Sequence, residues 1–178
     1  MSQIQEVIDQ LKRDAEPEYR KKMEYFNVPA GKALGVRTPQ VRKLAKEIKT
    51  NQRMAIKLWD SQIHEARMLA TMVADPKLFT VEMMEKWLKD VYSWDLCDGA
   101  CFNLIHKHED AWQLPYKWMK IDHEFTKRAG FALIAKLALG NKKVEDNVYI
   151  SIIQPLSAFS ILSYNSLIFF ELVCNSLF

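Results

Sequence analysis

The sequence predicts an all-α fold arranged as an α-solenoid, and three observations predict it. Apolar residues recur at helical spacing nearly throughout, and no window before the C-terminal tail alternates as a half-buried strand would. Gly is scarce, with five in 178 residues, which argues against a turn-rich β fold. Apolar helical blocks open at His64, Ser93 and Glu124, 29 and 31 residues apart, with shorter amphipathic helices between them. Stacked helix pairs of this kind form a solenoid, in which one set of helices lines a concave surface. A plain helical bundle is the alternative that so degenerate a repeat leaves open.

Each element follows from local signals. Ile4, Val7, Ile8 and Leu11 form an i, i+3, i+4, i+7 stripe. Pro17 opens a second helix through about Phe26, and "NVPAGKALGV" (27–36) is a loop. "TPQVRKLAKEIK" starts a strong helix, with Thr38 as N-cap, Pro39 at the first helical position, and Val41, Leu44, Ala45 and Ile48 inward. Further helices are expected at about 52–60, 62–74, 81–90, 94–107, 109–120 and 122–139. Thr80 and Ser93 serve as N-caps and Gly140 as a stop. Trp59, Trp87, Trp112 and Trp118 fall on apolar stripes and are expected in the core.

Three Cys make no disulfide framework, and "MSQIQEVIDQLKRDAEPEYR" has no apolar signal core; a reducing, cytoplasmic compartment is expected. Residues 147–178 differ from the rest. Between Asn147 and Phe170 there is no charged residue. The length would suit a membrane span, but Gln154, Pro155, Asn165 and many Ser oppose one, and no basic flank follows. The tail is expected to pack on helix 122–139, leaving residues 1–146 as the functional domain.

The net charge of +3 is unevenly spread. Arg37, Arg42, Lys43, Lys46, Lys49, Arg53 and Lys57 crowd one segment with only Glu47 opposing them. Such a run is either a solvated helix face or a footprint for phosphates.

In "SWDLCD", Trp94 and Asp98 stand four apart and share one helix face, with Cys101 and Ile105 continuing it and Leu96, Ala100 and Leu104 on another. Asp95 suits the helix dipole; Asp98, a turn further in, needs another reason. A carboxylate beside an aromatic face suits a site where positive charge develops on a sugar. Arg128 opens the apolar run "RAGFALIAKLALG", where an Arg rarely lacks a partner. It is either bridged to Asp95 or Asp98, or a bidentate phosphate clamp. His106 and His108 cannot share a helix face, and Cys97 and Cys101 have no second ligand pair at zinc spacing, so no metal is expected. Gly-rich phosphate loops, nucleophile elbows and HExxH are absent from the sequence.

"ALGVRTPQVRKLAKEI", "LWDSQIHEARMLATMVADP", "SWDLCDGACFNLIHK" and "FTKRAGFALIAKLAL", in this order and spacing, resemble the DNA alkylation repair proteins of the AlkD type over about residues 17–140. The resemblance implies a superhelix of HEAT-like repeats whose basic concave face holds alkylated duplex DNA. It also implies a monofunctional glycosylase that removes N3- and N7-alkylated purines without metal or cofactor, expected to act as a monomer. Asp98 and Trp94 match the family's catalytic aspartate and the tryptophan before it, and Arg128 its arginine in the next repeat. Arg37, Thr38, Arg42, Lys43, Lys46, Arg53 and Lys127 are then the expected DNA contacts. Such an alkylated purine is already cationic and leaves readily, so a carboxylate and grips on flanking phosphates suffice. The tail departs from the family pattern after Gly140, lacking its inner-face aromatic and its basic C-terminal helix. The same fold without catalysis would be a helical-repeat scaffold for DNA or protein.

Overall fold

The structure is a computed structural model, and it describes residues 3–25, 28–29 and 31–140. All regular elements among them are helical. They are α1 (Gln3–Arg13), α2 (Pro17–Tyr25), α3 (Thr38–Ile48), α4 (Gln52–Asp60), α5 (His64–Val73), α6 (Val81–Asp90), α7 (Trp94–Asn103), a 3-10 turn (Ile105–Lys107), α8 (Leu114–Trp118) and α9 (Glu124–Gly140).

The helices form two rows. One row runs α3, α5, α7, α9, each packed on the next. The other runs α1, α4, α6, α8. In it Trp59 of α4 stacks on Trp87 of α6 with ring centroids 4.0 Å apart, and Trp118 Nε1 of α8 donates to Glu85 of α6 at 3.0 Å. Contacts of α4 with α5 and of α8 with α9 join the rows, as the repeat spacing predicts. The core lies between them, filled by Leu58, Leu69, Leu88, Leu96 and Leu133, each fully buried. Trp59, Trp87 and Trp118 are buried as expected, while Trp112 is half-buried.

Three details differ from the sequence expectations. Arg37, not Thr38, is the N-cap of α3, and no side chain caps that helix. Pro39 still occupies its first turn, where a missing N–H costs nothing. The helix expected at 94–107 ends at Asn103, because Leu104 (φ −123°, ψ −63°) breaks into the 3-10 turn. The helix expected at 109–120 shrinks to Leu114–Trp118, since Pro115 has no N–H to donate and is accommodated in a helix's first turn rather than its interior. Thr80 does cap α6, accepting from Met83 N at 3.4 Å. Ser93 occupies the N-cap of α7 without a side-chain cap bond.

The loop before α3 is pinned by a buried acid. Glu65 of α5, 2% exposed, accepts backbone N–H bonds from Leu34 (2.9 Å), Gly35 (2.7 Å) and Val36 (3.1 Å). Gly35 sits at φ +94°, and a Cβ there would come 2.5 Å from Glu16 O, so only glycine fits. Arg67, also buried on α5, donates to the carbonyls of Trp59 (3.1 Å) and Asp90 (3.0 Å) and lies over the Trp59 ring.

No helix among the described residues is long and apolar enough to cross a membrane. The expectation for residues 147–178, and the packing of that tail on α9, lie outside the described residues.

Candidate functional site

The site lies where α7 crosses α9. Sequence places Trp94 and Asp98 one turn apart on α7, and the fold brings Arg128 of α9 against both. Arg128 Nε donates to Asp98 Oδ1 at 3.0 Å and Nη2 to Oδ2 at 2.7 Å, a two-pronged bridge. The same guanidinium stands 5.3 Å from the centre of the Trp94 ring, within cation–π range. Trp94 remains 42% exposed, unlike the other four tryptophans, so its ring stays open to a ligand.

Close packing makes this possible. Cys97 and Cys101 face α9, their thiols near the Phe125 and Ala129 carbonyls at 3.4 and 3.5 Å. Cys101 and Ile105 are therefore buried, and the outward stripe of α7 does not continue through them as the spacing suggested. The Leu96, Ala100 and Leu104 stripe is buried as expected. Gly99 lets α5 approach, since a Cβ there would meet Met68 Sδ at 2.6 Å.

Burial pushes the Asp98 carboxyl above the usual aspartate range; the Arg128 fork opposes that and the nearby Asp95 charge adds to it. Asp95 has the opposite balance. Desolvation is the largest influence and would raise it, but the His64 bond and charge, together with bonds from Ser93 and the Leu96 backbone, hold it below the ordinary value. His64 Nε2 lies 2.9 Å from Asp95 Oδ2, and Tyr92 Oη 3.3 Å from His64 Nδ1. The two carboxylates at the start of α7 thus have separate partners: His64 holds Asp95, and Arg128 holds Asp98. His64 and Tyr92 carried no signal in the sequence, because their partner stands about thirty residues away. An acid bond at (i, i+31) is visible only once two helices are in register.

The expected DNA contacts divide into groups. Arg42, Lys43 and Lys46 are exposed on α3, as is Thr38 at its start. Arg42 and Lys46 line a groove of about 400 Å³ together with Phe102, Asn103, His106 and Lys107. Arg53 is exposed too, but with Lys57 it lines a cleft against α1, in the other row. Arg37 is held by Glu16 through Nε (3.0 and 2.9 Å) and Nη2 (2.9 Å). Lys127 lies 3.5 Å from Asp122. The basic run is thus not one surface: only its α3 part joins the row that carries Asp98. Among the described residues there is no cluster of three potential metal ligands.

Residues 7–151 match the DNA alkylation repair enzyme family. An uncharacterized protein of Listeria monocytogenes is 23% identical over 105 residues, 57% of this chain and 47% of that protein, so the match spans about half of that relative. A solved structure described as "a new family of proteins related to the HEAT-like repeat DNA glycosylases with affinity for branched DNA structures" superposes with a TM-score of 0.77. It is 22% identical, covering 89% of this chain and 68% of that one. The two-row arrangement is thus a HEAT-like repeat fold.

Proposed function

Because the chain belongs to the DNA alkylation repair enzyme family, we propose that it binds alkylated duplex DNA across the α3–α5–α7–α9 row and hydrolyses the N-glycosidic bond of N3- or N7-alkylated purines. The observation that carries this is the Asp98–Arg128–Trp94 cluster, a half-buried carboxylate beside an open indole. As the cationic purine departs, positive charge grows on the sugar. Asp98 stabilises that charge and orients the attacking water, in a site partly shielded from solvent where a fixed anion is worth more than in water. Trp94 packs against the sugar and backbone. Arg128 fixes the carboxylate through its two-pronged bridge.

Incubation of the full chain with methylated duplex DNA should release free 7-methylguanine or 3-methyladenine. Absence of both would leave the cluster without this chemistry. The ionised form of Asp98 is the active one, and its carboxyl is raised by burial. The rate should therefore fall as pH drops through a single protonation centred above the usual aspartate range. A rate that is flat down to the ordinary aspartate value would contradict the assignment.

Binding itself should be salt-sensitive and largely independent of sequence, because cations on phosphates release counterions. Reversing Arg42, Lys43 and Lys46 together to Glu should weaken duplex affinity by about tenfold or more at moderate salt. Unchanged affinity would make α3 merely a solvated face.

A second function, DNA binding without hydrolysis, is favoured by one feature: both Asp98 oxygens are already occupied by Arg128. The superposed protein's affinity for branched DNA is consistent with it. It predicts binding to duplex or branched DNA with no base released under any condition.

A further inference from the structure

The Arg128–Trp94 contact has a counterpart two turns along the same pair of helices. Lys136 Nζ of α9 lies 6.0 Å from the centre of the Phe102 ring of α7. Trp94 and Phe102 are eight residues apart, which is about 12 Å along the helix axis. Arg128 and Lys136 are eight apart as well, so both helices advance by the same length between the two rungs. Phe102 is also a wall of the 400 Å³ groove, with Met72 and Ala45 as its other apolar lining.

The groove is basic. Arg42 and Lys46 enter it from α3 and Lys107 from the 3-10 turn. None of these three forms an ion pair with a described residue, whereas Arg37 and Lys127 do. Arg42 and Lys46 stand at i, i+4, a repulsive spacing on a helix. Their mutual repulsion is relieved by an anion placed between them and Lys107.

His106 completes the lining. Its Nδ1 donates to Cys101 O at 3.2 Å, which fixes the tautomer and leaves Nε2 as an acceptor when the ring is neutral. Burial depresses the ring's pKa and the Lys136 and Lys107 charges depress it further, against the support of the Cys101 carbonyl. The groups around it are Arg42 and Lys46 from α3, Lys107 beside it, Lys136 from α9 and the uncharged Asn103; among the described residues no acid lines the groove.

We infer that Arg42, Lys46, His106 and Lys107 form a second DNA anchor, which holds a backbone phosphate three to four base pairs from the Asp98 cluster and takes up a proton on His106 as the phosphate docks. The spacing follows from about 12 Å of helix against a 3.4 Å rise per base pair. This rests on the DNA-binding part of the proposed function and deepens it; hydrolysis is not required. A docked phosphate supplies the missing anion, so imidazolium becomes the favoured form. Binding is then tighter at lower pH, by up to about tenfold for each unit by which DNA raises the His106 pKa.

The test is an NMR titration of the His106 ring, assigned by comparison with His106→Gln, in the free chain and with an undamaged duplex oligonucleotide. DNA should raise the His106 midpoint. Duplex affinity should increase from about pH 7.5 to about pH 5.5, and His106→Gln should lose most of that increase. An unmoved midpoint overturns the inference, as does an equal increase in the variant. The same shift from inorganic phosphate at equal phosphate concentration overturns the assignment to DNA backbone. Base release is measured separately on methylated duplex. Its absence together with a shifted midpoint counts against hydrolysis alone, and its presence with an unmoved midpoint counts against the anchor alone.

Discussion

Replacing Asp98 by Asn should reduce release of N7-methylguanine from methylated duplex by about 10²-fold or more, the usual cost of losing a preorganised electrostatic group. The size follows from position. Asn keeps the volume but only one acceptor oxygen, so one prong of the Arg128 fork is lost. It removes the negative charge that offsets the developing sugar cation, and it leaves the Arg128 guanidinium, 13% exposed, without its anion. DNA affinity should hold or rise, because a charge repelling phosphate is gone. A change confined to KM would show that Asp98 only positions DNA. Trp94→Ala should also lower the rate with little loss of stability, since the ring is largely outside the core. Leu96→Ala would instead cost stability, because Leu96 is fully buried.

The second large effect concerns folding. Glu65→Ala should destabilise the chain by about 3 kcal/mol or more, a fall in Tm of roughly 6–12 °C. The variant strands the N–H groups of Leu34, Gly35 and Val36, which all converge on this carboxylate. Each buried donor left without an acceptor costs about 1–3 kcal/mol. Glu65→Gln should cost less, because one side-chain oxygen remains to accept. The loss should spread to DNA binding, since the pinned segment leads directly into α3 and sets the position of Arg42 and Lys46. Thermal unfolding followed by circular dichroism gives the answer. A Tm within 2 °C of the parent would mean that the loop has other anchors.

What was legible in the sequence depended on the range of the interaction. The two rows were legible, because each helix announces its buried side through local periodicity, as Val41 and Leu96 do. Asp98, Trp94 and Arg128 stood out through local oddity: an acid a full turn inside a helix, and an arginine heading an apolar one. That Arg128 chooses Asp98 over Asp95 was not legible. The choice depends on His64 claiming Asp95 across α5 and α7, and one sequence carries no cross-helix register. Glu65 was hidden for the same reason, although an acid and an arginine two apart in an apolar block were a usable signal. Pro115 was a start signal inside the helix expected at 109–120, whereas Leu104 ends α7 with neither Gly nor Pro to mark it. The basic run from Arg37 to Lys57 looked continuous because sequence is linear. The turn at residues 49–51 sends its second half to the other row, beside α1.

The most direct test of the proposed chemistry uses a duplex oligonucleotide with one 7-methylguanine, incubated with the full chain under single-turnover conditions. Alkali-labile strand breaks at that position are counted, and duplex binding is measured in parallel. The expected result is an abasic site with the parent chain and about a hundredfold less with Asp98→Asn at equal binding. Bound DNA that never loses the base, or equal breakage by parent and Asp98→Asn, would contradict a glycosylase built on Asp98.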